Sequence, residues 1–311
     1  MNDLHTLFAD ITFPCMFTAE EQELLCTLDM GVKSVAAGET LIQEGARDRD
    51  LWLLLAGHYQ VIKKVQPGFP LGFLQAGSFC GEIAWFTGEQ RTASVVAMEA
   101  GLALRICYKK NHLYGEELLL KIYHNTLTEV MGRLDAMNKL LFQLAELEKQ
   151  HFGGSLLASP VGFFKGIPFF DYFTEDEVNL IRGMTPGFDR VRRGEYIFKE
   201  GDDDNTFFVL LQGNVMITLN ADPRLILVTL GPERVLGMDT LFRAGPKRAN
   251  VIALERCEGL RISLDCFQTL DPAFKLKLYW QMALNFIDRL TPMNIAKIKL
   301  EHMQGKMWFG G

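Results

Sequence analysis

A chain of 311 residues with 48% hydrophobic and 23% charged side chains holds enough apolar material for about two cored domains. Its net charge of −6 weighs against a nucleic-acid partner. No apolar run approaches the roughly 18 residues that cross a bilayer, and MNDLHTLFAD lacks the basic and apolar regions of a secretory leader, so a cytoplasmic protein without a membrane span is expected.

In chain order, the first element is a short helix. Thr18 supplies an N-capping hydroxyl to AEEQELL, whose acids suit the first turn. Short apolar segments follow (TLIQEG, DLWLLLAGHYQVIKK, ASVVAME and GLALRI), cut by Gly, Asp and Pro. Short strands with regular turn signals indicate a β sandwich or roll. Over 113–150, Leu118, Ile122, Leu127, Val130, Leu134, Met137, Leu141, Leu144 and Leu147 recur at helical spacing, which marks a long amphipathic helix. His151-Phe152-Gly153-Gly154-Ser155 reads as its stop and as a linker.

Everything then recurs at one shift. Thr18 meets Thr174, a displacement of 156 residues. At that displacement Gly38-Glu39 meets Gly194-Glu195, Glu44-Gly45 meets Glu200-Gly201, and Asp48 meets Asp204. Gly57 meets Gly213, Gly81 meets Gly237, and Leu104-Arg105-Ile106 meets Leu260-Arg261-Ile262. A gapless repeat of this kind means one supersecondary unit used twice. The expected fold is therefore α+β and mainly β: two tandem jelly-roll β-roll domains, each flanked by helices, with the long helix between them. The expected domains are 1–153 and 154–311. The second closes with a helix over Phe274–Ile287 and, after Thr291-Pro292, another to about Met303.

Residues 77–97, GSFCGEIAWFTGEQRTASVVA, resemble the phosphate-binding cassette of the cyclic-nucleotide-binding domain family, as in catabolite activators and kinase regulatory subunits. The family pattern is Gly-Glu-(Ile/Leu)-Ala, a short spacer, then Arg-(Thr/Ala/Ser)-Ala-(Thr/Ser)-Val. The resemblance implies a site built from Gly81, Glu82, Ile83, Ala84, Arg91, Thr92 and Ala93. Gly81, without a Cβ, lets the backbone approach the sugar. Ile83 and Ala84 open a short helix whose N–H groups favour an anion. Arg91 pairs with the phosphate oxygens. Glu82 accepts the ribose 2′-hydroxyl, Thr92 adds a hydroxyl near phosphate or base, and Ala93 keeps the wall thin. A structural ion pair between Glu82 and Arg91 is the competing reading.

The second cassette, RVLGMDTLFRAGPKRANVIA, departs from this pattern. Gly237 is kept. Met238 replaces Glu82, so the ribose acceptor is lost, and Asp239 lies one residue later, where a helix start aims it differently. Lys247 replaces Arg91 and Arg248 follows, keeping a cation without the guanidinium fork. Asn250 replaces Ser94. A degenerate pocket is expected there; a different anion, such as a cyclic dinucleotide, is the alternative.

The function implied is a non-catalytic regulatory sensor that takes cAMP or cGMP in its first domain and signals to an effector protein through the long helix, with no cofactor beyond that ligand. An interaction scaffold with non-functional pockets competes with it. In the family such a helix lids the base and forms dimer seams, so Tyr123 and Phe142 are candidate base-facing groups and a homodimer is among the expected assemblies. No DNA-binding domain is expected, since the residues after the last strand read as the second domain's own closing helices. The six cysteines, Cys15, Cys26, Cys80, Cys107, Cys257 and Cys266, form no Cys-x-x-Cys pair and read as buried free thiols. Asp202-Asp203-Asp204 reads as a solvated turn rather than a metal site. Arg190, Arg192 and Arg193, with Lys199 nearby, read as an exposed strand face.

Overall fold

A computed structural model describes residues 8, 11–13, 16–28, 31–64, 70–152, 173–183, 188–220, 226–243 and 245–309. The expected linker at 153–155, Cys15 and the side chain of Phe142 lie outside the described residues. The chain divides into two compact units, residues 1–130 with 297–311, and residues 131–296.

In unit 1, helix α1 (Ala19–Thr27) begins as its sequence dictates. The Thr18 hydroxyl accepts from Glu21 N (3.3 Å), and the Glu21 carboxylate accepts from Thr18 N (2.6 Å). Such a reciprocal box satisfies two donors that the first turn leaves without helical partners. Eight strands follow: β1 (Val32–Val35), β2 (Thr40–Ile42), β3 (Leu51–Ala56), β4 (Tyr59–Ile62), β5 (Gly72–Leu74), β6 (Phe79–Cys80), β7 (Ser94–Ala97) and β8 (Gly101–Ile106). They form two antiparallel four-stranded sheets, ordered β1-β8-β3-β6 and β2-β7-β4-β5. Helix α2 (Glu82–Thr87) lies between β6 and β7, and a 3-10 helix (Tyr108–Leu113) leads into α3 (Glu116–Phe152).

Unit 2 repeats this order. Helix α4 (Glu175–Gly183) precedes β9 (Phe188–Val191), β10 (Tyr196–Phe198), β11 (Thr206–Gln212), β12 (Val215–Thr218), β13 (Val228–Leu230) and β14 (Arg234–Leu236). Then come α5 (Asp239–Phe242), β15 (Asn250–Ala253), β16 (Cys257–Ser263), α6 (Leu264–Gln268) and α7 (Pro272–Phe309). Its sheets are ordered β14-β11-β16-β9 and β10-β15-β12-β13, the same pairings shifted by the repeat. The register shifts recur too, at Leu54/Ala56 and Leu210/Gln212.

The cores show why one sequence pattern folds twice. Val35, Leu41, Ile42, Leu54, Tyr59, Leu74, Cys80, Val95, Ala97 and Ala103 are buried together in unit 1. Their counterparts Val191, Ile197, Phe198, Leu210, Val215, Leu230, Leu236, Val251 and Ala253 form the core of unit 2. The counterpart of Ala103 is Gly259, where a Cβ would run into the Phe208 ring. Close packing makes such exchanges compensatory.

One expectation is corrected. The two closing helices of the second unit are a single helix, Pro272–Phe309, that runs through Thr291-Pro292. An interior proline removes one i→i−4 bond and presses on the i−4 carbonyl, and the chain stays helical through it. Among the described residues the cysteines are free thiols; Cys26, Cys80, Cys107 and Cys257 are buried and Cys266 is half-buried. Burial pushes the Cys26 and Cys257 thiols above their usual pKa. No helix among the described residues is long and apolar enough to cross a membrane.

Candidate functional site

The site in unit 1 starts from β6. Gly81, which follows that strand, has φ +92°, and helix α2 begins at the next residue. Glu82 is thus the first helical residue, where the helix dipole favours a carboxylate, and it is only 4% exposed. Ala84, Trp85 and Phe86 are buried beneath it, and Ile83 is half-buried. The Gly81 carbonyl accepts the first helical bond from Trp85 N (3.1 Å) and a second from Arg91 Nη1 (2.9 Å). The sequence segment at 81–84 and Arg91 are therefore brought together, with Thr92 and Ala93, both half-buried, leading from Arg91 into β7.

Arg91 is 3% exposed. Its Nη2 donates to Asp50 O (2.5 Å) and pairs with the Asp48 carboxylate. Its Nε is buried and has no partner. Burial alone would raise the Asp48 pKa, but the Arg91 hydrogen bond and charge outweigh it and hold that carboxyl below its usual value. The backbone of Arg91 is clamped as well. Its carbonyl accepts from Gly45 N (2.8 Å), and its N–H donates to Ala46 O (2.9 Å). The Ser94 hydroxyl ties the same turn by accepting from Glu44 N (2.9 Å).

Sequence reasoning missed the segment Asp48-Arg49-Asp50. It gave Asp48 only as a landmark of the repeat, and the acid paired with Arg91 is Asp48. The Asp50 carboxylate receives Arg105 Nε (2.7 Å) and Tyr108 N (3.0 Å), which ties this segment to β8 and the 3-10 helix.

Two contacts join the cassette region to α3. The Phe86 ring meets the Tyr123 ring edge-on at 5.1 Å, and the Glu129 carboxylate accepts from Phe79 N at 2.5 Å. Tyr123, a candidate base-facing group, is packed in the core, and burial pushes its phenol up to about 12.

Unit 2 uses the same frame with a different grip. Gly237 has φ +70°, Met238 is the N-cap of α5, and Asp239 is its first helical residue. The helix starts one residue later than in unit 1. Met238, which stands where Glu82 stands, already has helical dihedrals (φ −70°, ψ −11°), and Asp239 follows it. Met238 is 4% exposed.

Lys247 is 2% exposed. Its ammonium contacts Thr206 O, Gly237 O (3.0 Å) and Thr240 Oγ1 (3.3 Å), with the Asp204 carboxylate at 3.8 Å and the Phe198 ring centroid at 4.4 Å. An ammonium has three N–H donors, and these three acceptors use them all. Burial lowers its pKa, against the pull of Asp239 and Asp204. Asp239, Lys247, Arg248, Phe286 and Arg289 line a cavity of about 670 Å³.

The other candidates are structural. Asp202 accepts from Lys199 N (2.8 Å) and Asp204 from Thr206 N (2.7 Å), so they close the turn. Among the described residues no group of three or more His, Cys, Asp or Glu is placed to hold a metal. Arg190, Arg192 and Arg193 are exposed, and Arg190 pairs with Glu258 at 3.3 Å.

Comparison with known proteins gives a family and several relatives. The model described as "Cyclic nucleotide-binding domain" matches residues 32–111 and 188–271, together more than half the chain. The chain is 26% identical over 243 residues to cGMP-dependent protein kinase, isozyme 1, of Drosophila melanogaster, covering 76% of this chain and 27% of that protein. It is 26% identical over 239 residues to cGMP-dependent protein kinase egl-4 of Caenorhabditis elegans, covering 76% and 26%. The chain thus spans about a quarter of the length of these relatives. Among solved structures, the regulatory domain of Toxoplasma gondii PKA with cAMP aligns at 16% identity and TM-score 0.30, over 94% of this chain and 92% of that one. Thermus thermophilus catabolite activator protein aligns at 21% identity and TM-score 0.36, over 44% and 63%.

Proposed function

The chain belongs to the cyclic-nucleotide-binding domain family, and from that membership we propose that it is a non-catalytic cytoplasmic sensor whose first unit takes cAMP or cGMP. The observation that carries this reading is the state of Arg91. Its guanidinium is buried, held by Asp48 and by the carbonyls of Asp50 and Gly81, and its Nε has no partner. A buried donor without an acceptor costs about 1–3 kcal/mol, and a phosphate oxygen relieves that cost. Glu82, at the head of α2, supplies the acceptor for a ribose hydroxyl, and Gly81 gives the sugar room. In the second unit Lys247 has no donor left for a phosphate, because all three are spent on Thr206, Gly237 and Thr240.

Signalling runs from the cassette to α3. A ligand that draws Arg91 and α2 together acts on Phe86, and Phe86 bears on Tyr123. The ligand shifts the helix only by its differential affinity for two arrangements of these groups. An effector protein reads the displacement. The working domain boundary remains between 153 and 154.

Calorimetric titration with cAMP, cGMP and cyclic dinucleotides tests the proposal. At least one saturable cyclic-mononucleotide site is expected, and Glu82→Ala combined with Arg91→Ala abolishes it. Each charged contact contributes about 1.5–3 kcal/mol, roughly ten- to hundredfold in affinity. A folded protein that gives no heat with any of them is instead an interaction scaffold. The cavity of about 670 Å³ in unit 2, with Arg248 and Arg289 on its wall, favours a second ligand there. Saturable heat with a cyclic dinucleotide that survives Arg91→Ala would assign it.

A further inference from the structure

We propose that Arg49 is a positioning residue for the ligand: it pins the far end of α2 and so sets where Glu82 stands relative to Arg91. The inference rests on the nucleotide reading of unit 1 but is drawn from a different part of the cassette.

The six residues of α2 are too few to hold a helix by themselves. What places the helix is what holds its ends. At the head, the Gly81 carbonyl is held by Arg91 Nη1 (2.9 Å). At the tail, the last carbonyls of a helix lack helical partners, and Arg49 Nη2 donates to one of them, Trp85 O (2.8 Å). Its Nε donates to Ala84 O (3.2 Å), which also takes the closing bond from Gly88 N (3.0 Å). A cation at a helix C-terminus is also on the favourable side of the dipole.

The guanidinium is itself fixed. Its central carbon lies 3.7 Å from the centroid of the Tyr108 ring, and that ring meets the fully buried Trp85 edge-on at 5.1 Å. Gly88 closes the helix at φ +74°, and a Cβ there would lie 3.3 Å from the Arg49 guanidinium carbon. Arg49 therefore fits into a slot made by the helix end, Gly88 and Tyr108.

Its neighbours in sequence explain why this matters for the site. Asp48 pairs with Arg91, and Asp50 O accepts from Arg91. One three-residue segment thus holds both the phosphate-facing guanidinium and the tail of the helix that carries Glu82. The distance between acid and guanidinium is set by that segment.

The second unit acts as an internal comparison. Asn205 stands in the place of Arg49. There the helix is four residues long, starts one residue later, and ends at Arg243 in extended conformation, φ −144° and ψ 125°. A unit without the arginine has a shorter and shifted cassette helix.

The test uses the full chain with Arg49→Asn, the residue of the second unit, and Arg49→Lys, which keeps charge and ring contact but lacks the two-pronged fork. Two measurements are made. The first is hydrogen exchange without ligand. In Arg49→Asn the amides of Trp85 and Gly88, bonded to Gly81 O and Ala84 O, exchange about tenfold faster or more, while those of β3 and β8 keep their wild-type rates. The second is the affinity ratio between the parent cyclic nucleotide and its 2′-deoxy analogue. Arg49→Asn lowers this ratio by about tenfold, because the parent alone uses Glu82, and Arg49→Lys restores part of it. Wild-type exchange in Arg49→Asn overturns the proposal. So does an equal loss of affinity for both sugars, which would mean general damage to the fold. If the wild type does not distinguish the two sugars, the role of Glu82 falls, and the exchange rates alone decide whether Arg49 holds the helix.

Discussion

Gly81→Ala, compared with Gly38→Ala, isolates the close approach on which the site depends. Both glycines have positive φ, +92° and +80°, and an L-residue in the left-handed region costs about 1–2 kcal/mol. Both substitutions change the unfolded chain in the same way. The surroundings differ. No heavy atom lies within 4 Å of a Cβ built on Gly38, so Gly38→Ala bears the backbone cost alone, about 1–2 kcal/mol. A Cβ on Gly81 would fall on Arg91 Nη1 and lie 2.9 Å from Asp50 O. Asp50 O is backbone and cannot rotate away, so Arg91 must retreat. It then loses its bond to Gly81 O, a charge-assisted contact of about 1.5–3 kcal/mol. The sum is about 2.5–5 kcal/mol.

Urea denaturation at equal m-values reads the stability difference, and calorimetry reads the ligand. Gly38→Ala is expected to bind cyclic nucleotide as the wild type does, and Gly81→Ala to lose at least about tenfold. Equal destabilisation by the two substitutions, with affinity intact in both, would refute the assignment of Gly81 as the place where backbone, guanidinium and sugar meet.

Asp48→Asn tests the acid behind Arg91. The folded-state pKa of Asp48 is depressed, so its contribution to stability is present above the unfolded value and lost as pH falls through the folded one. The gap between wild type and Asp48→Asn should therefore close as pH is lowered below about 3.9; a gap constant across that range would show that Asp48 does not hold Arg91 by charge. Lys247→Met leaves the carbonyls of Thr206 and Gly237 and the Thr240 hydroxyl without their donor. It should destabilise the protein by about 2–4 kcal/mol and leave cyclic-nucleotide heat in the first unit unchanged. Because burial lowers the Lys247 pKa, the folded state releases that proton first. The wild type thus gains stability as pH rises towards the ordinary lysine range, a gain that Lys247→Met lacks.

The repeat was legible because its markers are backbone necessities. Gly38, Gly81, Gly194 and Gly237 all have positive φ, and the reciprocal caps at Thr18 and Thr174 are made as spelled, with Glu177 N donating to Thr174 Oγ1 at 3.3 Å. Arg91 was legible from its place in a cassette pattern. Arg49 was not, because it is one polar residue in a charged turn, and its partners Ala84 O, Trp85 O and Tyr108 are brought to it only by the fold. The same holds for Lys247: the identity of the residue announces a cation, and only the carbonyls around it show that its donors are spent.

The two units show how a pocket diverges without disturbing the roll that carries it. The main chain at the cation is held identically. Gly45 N donates to Arg91 O and Gly201 N to Lys247 O, both at 2.8 Å. Ser94 and Asn250, chemically unlike, each accept from the glutamate N–H before that glycine, at 2.9 Å in both units. Lys121 reaches Glu21 at 2.7 Å, and Lys277 reaches Glu177 at 2.6 Å. With the frame fixed by these bonds, the side chain at one position decides what the pocket can hold. Arginine spreads its charge over a plane, anchors Nη1 and Nη2 and leaves Nε over. Lysine concentrates its charge at one atom, and the two carbonyls that would otherwise steady a guanidinium take its protons together with the Thr240 hydroxyl. The two cassettes thus differ at this position in donor number and geometry rather than in charge, and the sheet pairings need no adjustment to accommodate it.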